Sequence, residues 1–184
     1  MTIRLKTGLL SPMPLYQWDN SGGLIQKVKV DYDGNFIYFY MEVTDNLSDS
    51  SYTGIHFDLD NDTTTGFWPW TNTGIGAEVY IEGRITTAAD LIFFDWDITA
   101  PTQDTWQWTE KTVTEYLVFG HTQQDGAIVK TEWAVNKLKL SGTTIHGAVN
   151  LGNKVTIIIN HYYNWEPAGF FPGNGEPAYV LNMI

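Results

Sequence analysis

Apolar and aromatic residues alternate with polar ones at a period of two through most of this chain, the pattern of strands with one face buried. Residues 24–30 alternate, and residues 36–43 form an aromatic and β-branched run. The series continues through residues 54–59, 77–81, 90–98, 112–119, 127–133, 143–149, 155–161 and 178–184. Turn formers punctuate it at Asp33-Gly34-Asn35, Gly74-Ile75-Gly76, Asp125-Gly126, Ser141-Gly142, Leu151-Gly152-Asn153 and Pro172-Gly173-Asn174-Gly175. Only residues 134–140 carry a helical pattern, and they are few. Strands separated by turns at intervals of roughly 8–12 residues predict an all-β fold, an antiparallel β-sandwich or barrel, and not βαβ units. No repeat of fixed period and no change of composition divides the 184 residues, so the expectation is a single domain.

Composition narrows the function. The net charge of −11 disfavours nucleic acid and anionic membrane surfaces, which both need a basic footprint. It is compatible with cation binding. The chain has no cysteine, which removes disulfides, thiolate metal sites and cysteine nucleophiles. No apolar run is long enough to span a membrane. Residues 1–14 contain Arg4, Lys6, Pro12 and Pro14 without an apolar stretch, so they do not read as a signal peptide. Aromatic residues make up 15% of the chain, more than a core alone requires.

The most informative stretch is Phe57-Asp58-Leu59-Asp60-Asn61-Asp62, followed by Thr65-Gly66. With strand alternation, Asp58, Asp60 and Asp62 fall on one side and Phe57 and Leu59 on the other. Carboxylates held this close repel one another unless a cation neutralises them, and hard oxygen donors suit calcium. The stretch lacks the glycine and glutamate spacing of an EF-hand loop. A solvated turn would use the same residue types.

Two segments resemble aromatic loops. One is Phe67-Trp68-Pro69-Trp70, directly after the acidic stretch. The other is residues 164–173, with Trp165, Phe170 and Phe171 among prolines and glycines. Tryptophan in a loop presents a flat apolar face on which a sugar ring can stack. The acidic charge disfavours nucleic-acid bases as the stacked partner. Trp106 and Trp108 share one strand face, as core or as a third aromatic patch.

Catalytic signals are weaker. Glu78 and Glu82 share a face with Tyr80, but their separation along one strand, roughly 13 Å, is long for glycoside hydrolysis. No serine lies in a nucleophile elbow, and His56, His121, His146 and His161 show no metal-binding spacing.

Taken in order, Tyr16-Gln17-Trp18-Asp19, the Val28 to Phe39 segment, Gly54-Ile55-His56-Phe57-Asp58-Leu59-Asp60-Asn61-Asp62, Gly76-Ala77-Glu78-Val79-Tyr80 and Glu132-Trp133-Ala134 resemble carbohydrate-binding module family 9 and its DOMON-like relatives. The resemblance implies a jelly-roll-like antiparallel β-sandwich with structural calcium, secreted or displayed at the cell surface and often appended to a polysaccharide-acting enzyme. Asp58 and Asp60 match the family's acidic pair, and Thr65-Gly66 its turn. Glu78 stands where the family usually shows aspartate. The late family loop departs here, reading Asn174-Gly175-Glu176-Pro177. The expectation is therefore a non-catalytic module that binds a polysaccharide or oligosaccharide through Trp68, Trp70, Trp165 and Phe171. Asp58, Asp60, Asp62 and Glu78 would hold calcium. The alternatives are a self-associating filament subunit, a glycoside-active enzyme, and a haem-binding DOMON-type domain using Met41 and His161.

Overall fold

The computed structural model describes residues 16–20, 22–45, 51–69, 74–84, 90–112, 116–140 and 151–183. Twelve strands and one helical turn are found among them: β1 (Tyr16–Asp19), β2 (Ile25–Tyr32), β3 (Phe36–Thr44), β4 (Ser51–Asp58), β5 (Val79–Gly83), β6 (Leu91–Trp96), β7 (Trp108–Lys111), β8 (Leu117–Asp125), β9 (Ile128–Asn136), α1 (Lys137–Leu140), β10 (Lys154–Tyr163), β11 (Glu166–Phe171) and β12 (Tyr179–Asn182). They build two antiparallel sheets. The first runs β1-β2-β3-β9-β8, and the second β11-β10-β4-β5-β6-β7, with β12 also on β10. Packed face to face they make the expected β-sandwich.

The inner faces follow from alternation. In β3, Ile37, Phe39, Met41 and Val43 are buried, whereas Phe36, Tyr38, Tyr40 and Glu42 are only half covered. Ile55 and Phe57 of β4, Val79 and Ile81 of β5, and Val155, Ile157 and Ile159 of β10 face them across the core. Phe39 stacks on Trp133 at 4.0 Å and meets Phe57 edge-on at 6.0 Å, which joins the two sheets. Met41 is an ordinary member of this core.

β4 departs from simple alternation and is buried at nearly every position, because its outer face is also covered. That outer cover is aromatic and belongs to the candidate site below.

Several expectations shift. Of the expected strand at 112–119 the described residues are strand only from Leu117, where β8 begins; β7 closes before it at Lys111, and residues 113–115 lie outside the described residues. The expected strand at 143–149 lies outside the described residues. Residues 164–173 are not a loop: Glu166–Phe171 form β11, paired with β10 through Tyr163↔Glu166. Pro167 is tolerated there because β11 is an edge strand and the ladder slips beside it, between His161 and Tyr162.

At one end of the sandwich His161 is buried between the sheets. Its Nδ1 lies 3.1 Å from Thr53 Oγ1 and its Nε2 3.5 Å from Asp45 Oδ2. Burial holds the imidazole below its ordinary pKa, and Asp45 opposes this only in part. A histidine depressed in the folded state takes up its proton more readily when unfolded. Its stabilising contribution is complete above the ordinary histidine range and is lost as pH falls through it. Between pH 7 and 5 His161, like the more strongly depressed His56, should therefore pull the melting temperature down, against the opposite pull of the raised Asp58 and Glu78 carboxyls. His161→Gln should raise the melting temperature at pH 5 relative to that at pH 7.

Candidate functional site

Asp58 closes β4, and the chain turns sharply after it. Asp58 Oδ1 accepts from Asn61 N at 2.6 Å, and Oδ2 from Gly76 N at 3.3 Å. Asn61 takes a left-handed φ of 58°, which asparagine tolerates. Its side chain ties the bend to β10: Nδ2 donates to Lys154 O at 2.8 Å, and Oδ1 accepts from Thr156 Oγ1 at 2.6 Å. Glu78, immediately before β5, arrives from the neighbouring strand, and its Oε2 accepts from Leu59 N at 2.8 Å. Thr65 Oγ1 lies 3.2 Å from both Asp60 and Glu78. Gly66 is required here: its φ is 63°, and a Cβ would sit 2.5 Å from Glu78 Oε1.

The result is a carboxylate cluster. One oxygen each from Asp58, Asp60 and Glu78 lie within 4.8 Å of one another, and Asp58 and Glu78 are buried. Burial raises both: Asp58 to about 6, and Glu78 to about 9, with Asp60 and Asp58 adding to the rise at Glu78. These groups resist ionising without a counter-charge, and their all-oxygen donor set suits a hard divalent cation. The three could hold a metal ion. Asp62, expected among the ligands, stands apart: its Oδ1 accepts from Thr64 N at 2.9 Å and from Thr64 Oγ1 at 2.6 Å, which turns the carboxylate into a cap for its own bend.

The loop after this cluster is laced from one side. Gln103 Nε2 lies 2.6 Å from Thr65 O, 3.1 Å from Thr63 O and 3.2 Å from Gly66 O, while Gln103 O accepts from Trp68 N at 2.7 Å. Gln103 thus fixes both the acidic bend and the backbone that carries Trp68. Gln103→Ala should cost about 1–2 kcal/mol in a denaturant titration, since several carbonyls lose their donor at once.

The aromatic residues are arranged differently from the sequence expectation. Trp68 is 45% exposed and Trp165 is 74% exposed. Trp70 lies outside the described residues. Phe171 is a correction: it is buried in the core, edge-on to Trp18 at 5.4 Å and to Tyr16 at 6.1 Å. As an inward residue of β11 it pins β1 to the second sheet and offers no face to a ligand.

What the sequence reading missed is the outer face of the second sheet. Strand register places Tyr162 beside Tyr52, Asn160 beside Gly54, and Ile158 beside His56. It continues from Gly54 to Glu82 and from His56 to Tyr80, then from Tyr80 to Phe94. Tyr52 and Tyr162 stack at 4.5 Å, and Trp165 lies 5.0 Å from Tyr52. Tyr80 Oη donates to Glu82 Oε2 at 2.6 Å. Phe67 comes down over this face beside His56, and Trp106 meets Phe67 at 5.4 Å and Tyr80 at 5.5 Å. Trp106 is 47% exposed, whereas Trp108 is half-buried beneath it. The pair is an outer-face patch and not inter-sheet core. Trp68 follows Phe67, and Trp165 touches Tyr52, four positions away from His56 along β4. Trp106 and Trp165 therefore mark opposite ends of one aromatic strip, and Trp68 is exposed in the loop that follows Phe67.

No family model matches the chain, and no curated protein matches it. Among solved structures the chain is similar to a carbohydrate binding module family 9 (CBM9) from Caldicellulosiruptor kristjanssonii in complex with glucose. The identity is 10% and the TM-score 0.46, over 94% of this chain and 82% of that chain. No helix among the described residues is long and apolar enough to cross a membrane.

Proposed function

We propose that this protein is a non-catalytic saccharide-binding module that works outside the cell or at its surface, alone or beside a polysaccharide-acting enzyme. The observation that carries this reading is Trp165. It occupies the second position of a two-residue hairpin loop between β10 and β11, where Asn164 and Trp165 have φ of 51° and 69°. That geometry is a type I′ turn, whose second position strongly prefers glycine. A left-handed backbone costs a bulky residue on the order of 1–2 kcal/mol. The chain nevertheless places its largest side chain there, mostly in solvent, beside a stacked tyrosine pair. Strain retained at an exposed aromatic points to a binding role.

The surrounding groups suit a sugar. Ring faces take its apolar face, and the Glu82 carboxylate and the tyrosine hydroxyls take its hydroxyls. Each stacked ring contributes about 0.5–1.5 kcal/mol beyond area burial, so a few of them support micromolar to millimolar affinity after ordering costs. Calcium at Asp58, Asp60 and Glu78 would stiffen the bend that leads into Phe67 and Trp68. Titration of the protein against a panel of neutral oligosaccharides, followed by calorimetry, tests the reading. Absence of binding across the panel would remove it.

A further inference from the structure

Resting on the saccharide-binding reading, we infer that the ligand is a neutral polysaccharide chain held along its length, not a sugar captured at a chain end. The aromatic strip is longer than one sugar ring. Tyr52, which carries Trp165, and His56, over which Phe67 and Trp106 gather, are separated by about 13 Å of strand rise. Between these points the rings pack continuously, with Tyr80, His56 and Phe67 themselves buried as the floor that holds the exposed rings at the two ends. The stacked Tyr52–Tyr162 pair gives way to Tyr80, whose hydroxyl reaches over Gly54. A Cβ at position 54 would lie 2.7 Å from Tyr80 Oη and 3.2 Å from Tyr162 Cε2, so glycine is what lets the two ring systems meet. Exposed indoles stand at both ends, Trp165 at 74% and Trp106 at 47%. A terminal sugar needs one such platform; a chain that enters and leaves uses both.

Charge selects the kind of chain. No lysine or arginine is among the strip residues described above, and Glu82 adds a carboxylate whose Oε2 accepts from Tyr80. The whole chain carries −11. A uronate or sulfated polymer would meet a field of its own sign, whereas a neutral glycan would not.

The test is calorimetric titration of the intact protein with neutral oligosaccharides from one to six units, with and without borohydride reduction of the terminal sugar, and with a polyuronate of matched length. Affinity should rise about tenfold or more from one unit to six, survive reduction, and be absent for the polyuronate. Trp106→Ala and Trp165→Gly should each lower affinity for the six-unit ligand about tenfold. The length series on the unaltered protein decides the question even if a variant fails to fold. Equal affinity for one and six units, loss of binding on reduction, or preference for the uronate would overturn the inference while leaving saccharide binding in place. No binding at any length would overturn both.

Discussion

Trp165→Gly is expected to lower saccharide affinity about tenfold and to leave the melting temperature unchanged or raised. Two effects act in opposite directions on stability. Glycine relieves the left-handed strain at φ 69°, which is worth on the order of 1–2 kcal/mol. It also removes the ring contact with Tyr52 and adds backbone freedom in the unfolded chain, each on the order of 0.5–1 kcal/mol. The near balance is useful, because it separates function from folding. In a chain of this size about 1 kcal/mol corresponds to roughly 2–4 °C. A fall of many degrees would show that Trp165 is a structural staple for the hairpin. Unchanged affinity in a stable variant would dismiss it as a ligand contact. Alanine is the poorer probe, since it keeps the strained backbone while removing the ring.

The hairpin also shows where sequence reasoning stops. β11 was unreadable for three local reasons. Its turn is Asn164-Trp165 and not Asn-Gly, Pro167 demotes any strand pattern, and Gly169 weakens it further. With the strand hidden, Phe171 read as a loop aromatic, although its position in β11 sends it to the core. The long alternating strands β2, β3 and β9 were legible because each buries one full face, and β10 because its β-branched run lies in a segment buried from Val155 to His161. The acidic cluster was legible as well, with one limit. Asp58 and Asp60 announce it by spacing, but Glu78 joins them only through the β4–β5 pairing that sets Phe57 against Val79. Asp62 shares their pattern and still turns away, because its own turn offers Thr64 donors first. The outer face was invisible for a different reason. Tyr52, Tyr80, Glu82 and Tyr162 come from three strands, and only register places them together. Burial of β4 on both faces is the trace this leaves in the sequence, a nearly unbroken run from Gly54 to Leu59.

Calcium is expected to raise the melting temperature of the wild-type protein by about 5–10 °C at a hundredfold excess over its dissociation constant. At that excess mass action contributes about 2.7 kcal/mol, and each kilocalorie moves a domain of this size by roughly 2–4 °C. The gain arises at Glu78 and Asp58. Both are buried, and their burial makes a bare negative charge expensive, which is why Glu78 keeps its proton up to about 9 without a metal. A divalent ion supplies the missing charge and lets the buried Asp58 and Glu78 ionise. Glu78→Gln separates these contributions. The amide has the shape of the protonated acid and can still accept from Leu59 N, so the chelated variant should melt close to the chelated wild type. It cannot supply the charge, so the calcium-dependent gain should largely disappear. An equal gain in both proteins would place any ion elsewhere, and no gain in the wild type would leave the cluster a hydrogen-bonded turn. Because the bend runs through Gly66 and Phe67 into Trp68, chelation should also loosen that end of the strip, while the Trp165 hairpin, at the far end of β4, keeps its geometry.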